Sequence, residues 1–157
     1  MRPLCMNLAR VGSRWLFAVL SLLSAVVLAQ PAQIPQPTLP QVTLTVGGRQ
    51  IQAEMATENL QRQIGLMQRQ HLGTHEGMIF IFPEKGQQCF WMRNTLLPLT
   101  AAFIDDDGTI VNLADMQPLK DDSHCSKKPV RYVLEMNQGW FRQQGVKAGQ
   151  KVQGIPK

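Results

Sequence analysis

Residues 42–55 read VTLTVGGRQIQAEM, and this stretch decides the fold class. Apolar residues alternate with polar ones on both sides of a glycine pair, with Val42, Leu44 and Val46 before it and Ile51, Ala53 and Met55 after it. Alternate side chains of a strand lie on one face, and a Gly-Gly pair between two such runs favours a tight hairpin turn. The stretch therefore predicts an antiparallel hairpin with one buried face.

Outward from this hairpin, short apolar segments bounded by turn residues predict further strands. They cover residues 78–82, 89–92, 99–104, 109–114 and 130–136, and an edge strand is expected near Val152. The segments at 78–82 and 89–92 are apolar throughout, which is typical of strands that are buried on both faces.

Two short helices are expected between the strands. The first has Thr57 as its cap, carries Leu60, Ile64 and Met67 on one face and ends before Gly73, and the second covers residues 140–144. With about seven strands and no internal repeat, the predicted fold class is mainly β, or β-rich α+β. The expected architecture is a compact β-sandwich or barrel-like domain with one or two short helices.

The N-terminal segment has the pattern of a secretory signal peptide over residues 1–29. It carries three arginines and no acidic residue before an apolar run that starts at Trp15 and stops at Ala29. This run has 15 residues, whereas a membrane-spanning helix needs roughly 20. We expect cleavage after Ala29, so that the mature chain starts at Gln30; the alternative is an uncleaved membrane anchor. Cys5 precedes the apolar run, which argues against a lipoprotein.

Residues 30–40 are rich in Pro and Gln and predict an extended, poorly ordered linker before a single domain at residues 41–157. The formal charge of the whole chain is +5, and without the three arginines of the leader it falls to +2. Lys127 and Lys128 are the only adjacent basic pair of the mature chain, and no basic stripe alternates with aromatic residues. The charges therefore predict a solvated surface that does not bind nucleic acid.

Several motifs in this domain carry a resemblance to a known family. They are GLM at 65–67, GMIFIFP at 77–83, FWMRNT at 90–95, PL at 98–99, FID at 103–105, GTIV at 108–111, YVLE at 132–135 and Gly139. In this order they resemble domain-of-unknown-function family 192. The resemblance implies a compact β-sandwich-like fold with short helices, frequent export and no assigned activity. This chain has Thr100 where the family commonly places an acidic residue, so a role that requires that carboxylate would be lost.

The run Asp105-Asp106-Asp107-Gly108-Thr109 is similar to the nucleophile motif of haloacid-dehalogenase-like phosphatases, in which one Asp attacks phosphorus and another transfers protons. That chemistry needs a parallel strand before the motif, a helix after it and further motifs from a much larger domain. Here a strand-like segment follows at once, so we interpret the run as a hairpin turn. Adventitious cation binding stays open as a third possibility.

Cys89 and Cys125 are the only cysteines of the mature chain, and in an exported domain they predict a disulfide. The alternatives are free thiols, a Cys nucleophile activated by His124, or a metal site shared with His71 and His75. The two histidines are four residues apart, a spacing that metal ligands use, but Gly73 separates them and no third ligand is near in sequence. We therefore interpret them as surface histidines.

The segment that follows Phe90 contains the candidate ligand groove. A strand places either Phe90 or Trp91 in the core, and the polar residues after it can hold a loop or line a groove. We expect Asn94 to hold the chain turn through its amide, so that Asn94→Ala lowers stability. The full candidate set is Trp91, Met92, Asn94, Thr95 and Glu135.

Two hypotheses for the function follow. The first is a non-enzymatic binding or accessory domain of the cell envelope that recognises a small polar ligand, an envelope polymer or a protein. The second is a small hydrolase or transferase with Glu135, Asp115 or His124 as its general base. The first is favoured because no motif unites a nucleophile, a base and an orienting residue. The sequence assigns no catalytic set, no cofactor and no metal, and membrane contact is expected only through an uncleaved signal.

Overall fold

The computed structural model describes residues 34–156, so the predicted leader and its cleavage after Ala29 lie outside the described residues. The strands are β1 Gln41–Val46, β2 Arg49–Ala56, β3 Glu76–Gly86, β4 Cys89–Phe90, β5 Leu99–Ile104, β6 Ile110–Met116, β7 His124–Cys125, β8 Val130–Asn137 and β9 Val152–Gln153. The helices are α1 Asn59–Ile64 and α2 Trp140–Gln143. Over these residues, no helix combines the length and apolar character needed to span a membrane.

Seven of the strands form one curled sheet in the order β6-β5-β8-β3-β2-β1-β9, a half-barrel. Strands β2 and β3 are parallel because α1 connects them, and the other neighbours are antiparallel. The two edges approach each other through an isolated bridge between Thr109 and Lys151. Strands β4 and β7 form a separate two-stranded sheet. This confirms the mainly β fold class with two short helices, in its barrel-like form.

Both faces of the central strands are buried. The face toward α2 packs a cluster that includes Ile79, Leu134 and Trp140. The opposite face, called the α1 face below, packs Met78, Phe80, Ala101, Phe103 and Val133 with Leu66, which follows α1. Neighbouring residues of a strand point to opposite faces, so the continuous apolar run in β3 serves both clusters.

The hairpin predicted from residues 42–55 is confirmed, with Val46 paired to Arg49 across the glycine turn. The predicted cap of α1 is wrong, because Glu58 is the N-cap and forms a capping box with Gln61. The predicted apolar face is also wrong at Leu60, which is 66% exposed. The first turn of α1 faces solvent. From α1 onward, the first hydrophobic side chain that is buried in the core is Leu66, which follows the helix.

The predicted strand at 89–92 is shorter than expected. It ends at Phe90, whose partner across the small sheet is His124, and Met92 lies beyond the strand in the core. Phe90 faces the core, whereas Trp91 is 52% exposed. Of the two aromatic residues, Phe90 is therefore the one that the strand places in the core.

The described part of the predicted linker, residues 34–40, has no helix or strand. Gln36 is nevertheless buried, and its Nε2 donates to the carbonyl oxygen of Gly65 over 2.7 Å. The backbone nitrogen of Leu39 donates to Glu54 over 2.8 Å. These contacts hold the tract against the domain, which differs from the expected poorly ordered linker.

Candidate functional site

An open cavity of about 580 Å³ lies on the α1 face of the sheet. Its walls come from α1 and the turn after it, from β3 and from the segment around β4. Its apolar lining includes Ile64, Leu66, Met67, Phe80, Phe82, Phe90 and Trp91, and its polar lining includes Arg62, Lys85, Thr95 and Glu135. This size, and a lining that combines aromatic and other apolar side chains with polar ones, are typical of small-molecule sites.

The aromatic wall is held in shape by Phe90. Its ring meets Phe80 edge to face with the centroids 4.8 Å apart, and it meets Phe103 and Phe82 in the same way at 6.0 and 6.5 Å. Perpendicular rings at these distances attract each other through their quadrupoles. The wall is therefore preformed by packing within the fold.

Glu135 is the only carboxyl group of the cavity lining that is buried. It lies in the middle of β8, where its neighbours across the sheet are Met78 on β3 and Ala101 on β5. The residue is 4% exposed, and no described residue hydrogen-bonds its carboxyl group. Burial raises the pKa of Glu135 to about 8, because a carboxylate loses its hydration in these surroundings. At pH 7 the group is mainly protonated.

Glu54 shows how a carboxylate on the same face is normally accommodated. It lies on β2 beside Met78, two strands from Glu135. Its Oε2 accepts hydrogen bonds from Arg69 and from the backbone nitrogen of Leu39, both over 2.8 Å. Glu54 is thus paired with a cation, and Glu135 is not. The difference marks Glu135 as the group that the fold leaves available to a ligand.

The two cations of the cavity lining are already engaged. Arg62 donates to the backbone carbonyl oxygens of Thr57 and Ile81. Lys85 forms an ion pair with Asp105, which raises the pKa of Lys85 through this hydrogen bond. Neither cation pairs with the Glu135 carboxyl group.

The structure brings together three of the five residues predicted for the groove. Trp91, Thr95 and Glu135 line this cavity. Met92 is buried in the core beneath it, and Asn94 is not part of the lining. Sequence reasoning missed the walls formed by Leu66, Phe80 and Phe82, because apolar residues in a strand pattern are the same whether they face a core or a cavity.

Asn94 acts through its backbone rather than through its amide. It has a φ of 60°, in the left-handed region that Asn tolerates better than most residues. Its carbonyl oxygen accepts a hydrogen bond from the nitrogen of Gln68 over 2.9 Å. Among the described residues its side-chain amide has no hydrogen-bond partner. The expected amide contacts are therefore absent, and the turn depends on the backbone conformation.

We expect Asn94→Ala to lower the free energy of unfolding by about 1 kcal/mol, because the left-handed region is costly for alanine, whereas asparagine adopts it more readily than other residues apart from glycine. Asn94→Gly should leave it nearly unchanged, since glycine adopts this region readily. Urea denaturation of both variants checks this result. Equal losses in the two variants would show that the amide matters after all.

The predicted disulfide is present. Strands β4 and β7 place Cys89 opposite Cys125, with their Cα atoms 4.0 Å apart and a sulfur–sulfur bond between them. Cys89 also lines the cavity. The crosslink therefore fixes the segment that carries Phe90 and Trp91, and it leaves no thiol at this position for catalysis or metal binding.

Residues 105–109 form the predicted turn between β5 and β6, which are antiparallel, so the strand–helix arrangement of a phosphatase is absent. The nitrogen of Asp105 donates to the carbonyl oxygen of Thr109 over 2.9 Å. Gly108 has a φ of 83°, and a Cβ there would lie 2.5 Å from the carbonyl oxygen of Val152. Hydrogen bonds from Thr109 lower the pKa of Asp107 to about 2, with Lys151 as a further partner. The acidic run thus stabilises a turn.

His71 and His75 lie in the loop before β3 and are exposed, as expected of surface histidines. The ring of His75 contacts Trp140 edge to face at 6.3 Å. Among residues 34–156, no group of three or more His, Cys, Asp or Glu side chains is placed to hold a metal.

The three candidate bases lie in different places. Glu135 lines the large cavity, while Asp115 lines a second cavity of about 350 Å³ with Thr100. Thr100 is buried and donates to Oδ1 of Asp115 over 2.5 Å. His124 lies in β7 next to the disulfide. The structure therefore does not assemble these groups into one catalytic arrangement.

Comparison with known proteins gives one family and several solved structures. The family model DUF192, described as "Uncharacterized ACR", matches residues 42–154. No curated protein matches the chain.

Two crystal structures are similar over almost their whole length. One, from Sinorhizobium meliloti 1021 and described as a "putative transcription regulator", is 34% identical with a TM-score of 0.72, over 76% of this chain and 97% of that one. The other, a protein of unknown function from Novosphingobium aromaticivorans DSM 12444, is 34% identical with a TM-score of 0.68, over 80% of this chain and 94% of that one. Neither description states a ligand or a reaction.

Proposed function

Since the chain belongs to DUF192, a family without an assigned activity, we propose a function from the site itself. The protein is an exported, non-enzymatic binding domain of the cell envelope that holds a small ligand in the cavity on the α1 face.

The observation that carries this proposal is the lining of the cavity. Phe80, Phe82 and Phe90 provide a preformed aromatic wall, Trp91 lines the same cavity, and Glu135 adds a buried carboxyl group without a hydrogen-bond partner in the described residues. A cavity of this kind binds by burying an apolar part of the ligand against its aromatic wall and orients the ligand through its polar groups. A buried polar group without a partner is costly, so its presence in a cavity supports a ligand contact.

Export is supported by the disulfide between Cys89 and Cys125. Such bonds persist in oxidising compartments outside the cytoplasm and are rare inside it. The pattern of residues 1–29 is that of a secretory signal, which fits the same location.

Nucleic acid is not the partner that we propose for this cavity or for the surface of this domain. Three of the exposed cations in this domain are paired with carboxylates: Lys128 with Asp105, Arg93 with Asp121, and Lys151 with Asp107. Paired cations release fewer counterions from a phosphate backbone and contribute less to affinity. This supports a partner other than nucleic acid.

The hydrolase or transferase alternative has one feature in its favour, the raised pKa of Glu135, which is common among general acids and bases. Catalysis also needs a nucleophile or an activated water next to that base. Asp115 and His124 are not part of the same cavity lining. The binding function accounts for Glu135 without requiring them.

Blocking the cavity tests the proposal. We expect benzyl alcohol to bind with saturable amide NMR shifts confined to the cavity lining, and Met67→Trp to weaken this binding by at least about tenfold, or 1.4 kcal/mol. Met67 is half-buried and lines the cavity, so a larger side chain there occupies its space.

Leu119→Trp is the matched control, because Leu119 is 62% exposed and is not part of the lining. It should leave the affinity unchanged. Shifts spread over the whole surface, or equal binding to wild type and Met67→Trp, would refute a ligand site in this cavity.

A further inference from the structure

The cavity combines two features that suit one class of ligand. Four aromatic residues line it, namely Phe80, Phe82, Phe90 and Trp91. The faces of aromatic rings carry negative potential and attract cations, most strongly where water is excluded. An uncharged apolar ligand would pack against the same aromatic residues but would not gain this electrostatic attraction.

The second feature is the carboxyl group of Glu135. It is 4% exposed, lines the cavity and has no hydrogen-bond partner among the described residues. Thr95 lines the same cavity, is 5% exposed, and its hydroxyl group likewise has no described partner. An ammonium group has only donors to offer, and these two side chains supply acceptor oxygens.

Two of the four rings already have a guanidinium over them, Phe82 with Arg62 and Trp91 with Arg93. No such contact is present at Phe80 and Phe90 in the described residues, and the Glu135 carboxyl group pairs with neither arginine. Arg62 lies over the ring of Phe82, with its guanidinium carbon 5.3 Å from the centroid, and donates to carbonyl oxygens. Lys85 is paired with Asp105 and Asp106. Because their donors are engaged, an anionic ligand gains little from them, and neither neutralises Glu135.

We propose that the cavity binds a small organic cation, an amine whose apolar group packs on the aromatic wall while its ammonium group pairs with Glu135. This inference rests on the proposed binding function and adds the chemical class of the ligand. In this complex the ammonium group and the Glu135 carboxylate form an ion pair, and not a hydrogen bond between neutral groups.

The number of protons released on binding depends on whether Glu135 is protonated beforehand. On the same face, β3 and β5 present apolar residues, with Met78 and Ala101 directly beside Glu135. The charged groups are Arg62, Glu84 and Lys85 in the cavity lining and the ion pair of Glu54 and Arg69 two strands away. The carboxyl group has a pKa of about 8 and is mainly protonated at pH 7. Binding of a charged amine ionises it, and its proton goes to the buffer.

The test compares three probes with the same ring: benzylamine, benzyl alcohol and benzoate. We expect benzylamine to bind at least about tenfold more tightly than benzyl alcohol at pH 8, and benzoate to bind most weakly. Calorimetry at pH 7 in buffers of different ionisation enthalpy should show release of nearly one proton for each benzylamine bound, and none for benzyl alcohol.

Glu135→Gln provides the matched variant, since glutamine keeps the shape of the side chain and cannot ionise. It should lose the preference for benzylamine over benzyl alcohol and release no proton when benzylamine binds. Tighter binding of benzyl alcohol or benzoate than of benzylamine would overturn the amine proposal and leave the binding function standing. If none of the three probes binds, the proposed function fails as well.

Discussion

Replacing Cys89 and Cys125 together by serine is expected to lower the free energy of unfolding by about 4 kcal/mol. The bond closes a loop with a sequence separation of 36, and in the chain-entropy model a loop of this size restricts the unfolded chain by about that amount. For a domain of this length the melting temperature should fall by roughly 15 °C. The loop includes β5 and β6 as well as the segment around Trp91, so its loss affects the central sheet and the cavity wall.

Thermal and urea denaturation of the wild type and the double variant measure this effect. A reductant should destabilise the wild type to the level of the double variant and leave the variant itself unchanged. Equal midpoints for oxidised wild type and variant would show that the strand pair β4 and β7 is stable without its crosslink.

The second large effect is a gain of stability from Glu135→Gln at alkaline pH. In the unfolded chain this carboxyl group has its ordinary pKa of 4.5, and in the folded protein its pKa is about 8. Between these two values the folded state binds more protons than the unfolded state, so stability falls as pH rises. The loss is complete once pH passes about 8 and amounts to as much as about 5 kcal/mol.

The glutamine variant cannot titrate at this position, so its stability should vary less over the same interval. We expect the two proteins to have similar stability near pH 5 and the variant to be more stable by several kcal/mol at pH 8.5. Urea denaturation across this range is the measurement. A constant difference between the two proteins would mean that Glu135 is ionised and well solvated in the folded state.

Other carboxyl groups act outside this interval and with the opposite sign. Lys85 holds the pKa of Asp105 far below its ordinary value, and Thr109 lowers that of Asp107 to about 2. A lowered pKa contributes stability that is present above the unfolded value, about 3.8, and is lost at more acidic pH. The decline between pH 5 and 8 therefore reports on Glu135.

The sequence predicted those features that depend on neighbours along the chain. The β1–β2 hairpin follows from apolar alternation on both sides of a glycine pair, and the β5–β6 hairpin follows from strand-like segments that flank an acidic turn with a glycine. Both are present. The parallel pairing of β2 with β3 was not predicted, because it depends on where the chain returns after α1. The exposure of Leu60 was not predicted for the same reason. Helix periodicity shows which residues share a face, but it does not show how far that face lies from the sheet.

The candidate site was predictable only in part. Trp91, Thr95 and Glu135 were named because polar and aromatic residues in a strand-rich domain stand out, and all three line the cavity. The other walls were not predicted, because the run from Met78 to Phe82 reads as core and the space beside Phe80 exists only after α1 has packed. Asn94 was chosen for its amide, whereas its contribution is a left-handed backbone conformation that residue type alone does not specify.

The first strand of the sheet, β1, pairs with the last, β9, in the pairs Thr45 to Gln153 and Val46 to Val152. Residues at the two ends of the domain must therefore meet before the sheet is complete. A chain that emerges from a ribosome or a translocation channel from its N-terminus onward presents β1 first and β9 last. Until β9 is free, β1 has only β2 beside it and its other edge is unpaired. The sheet therefore reaches its native strand order only when residues near Val152 have joined β1.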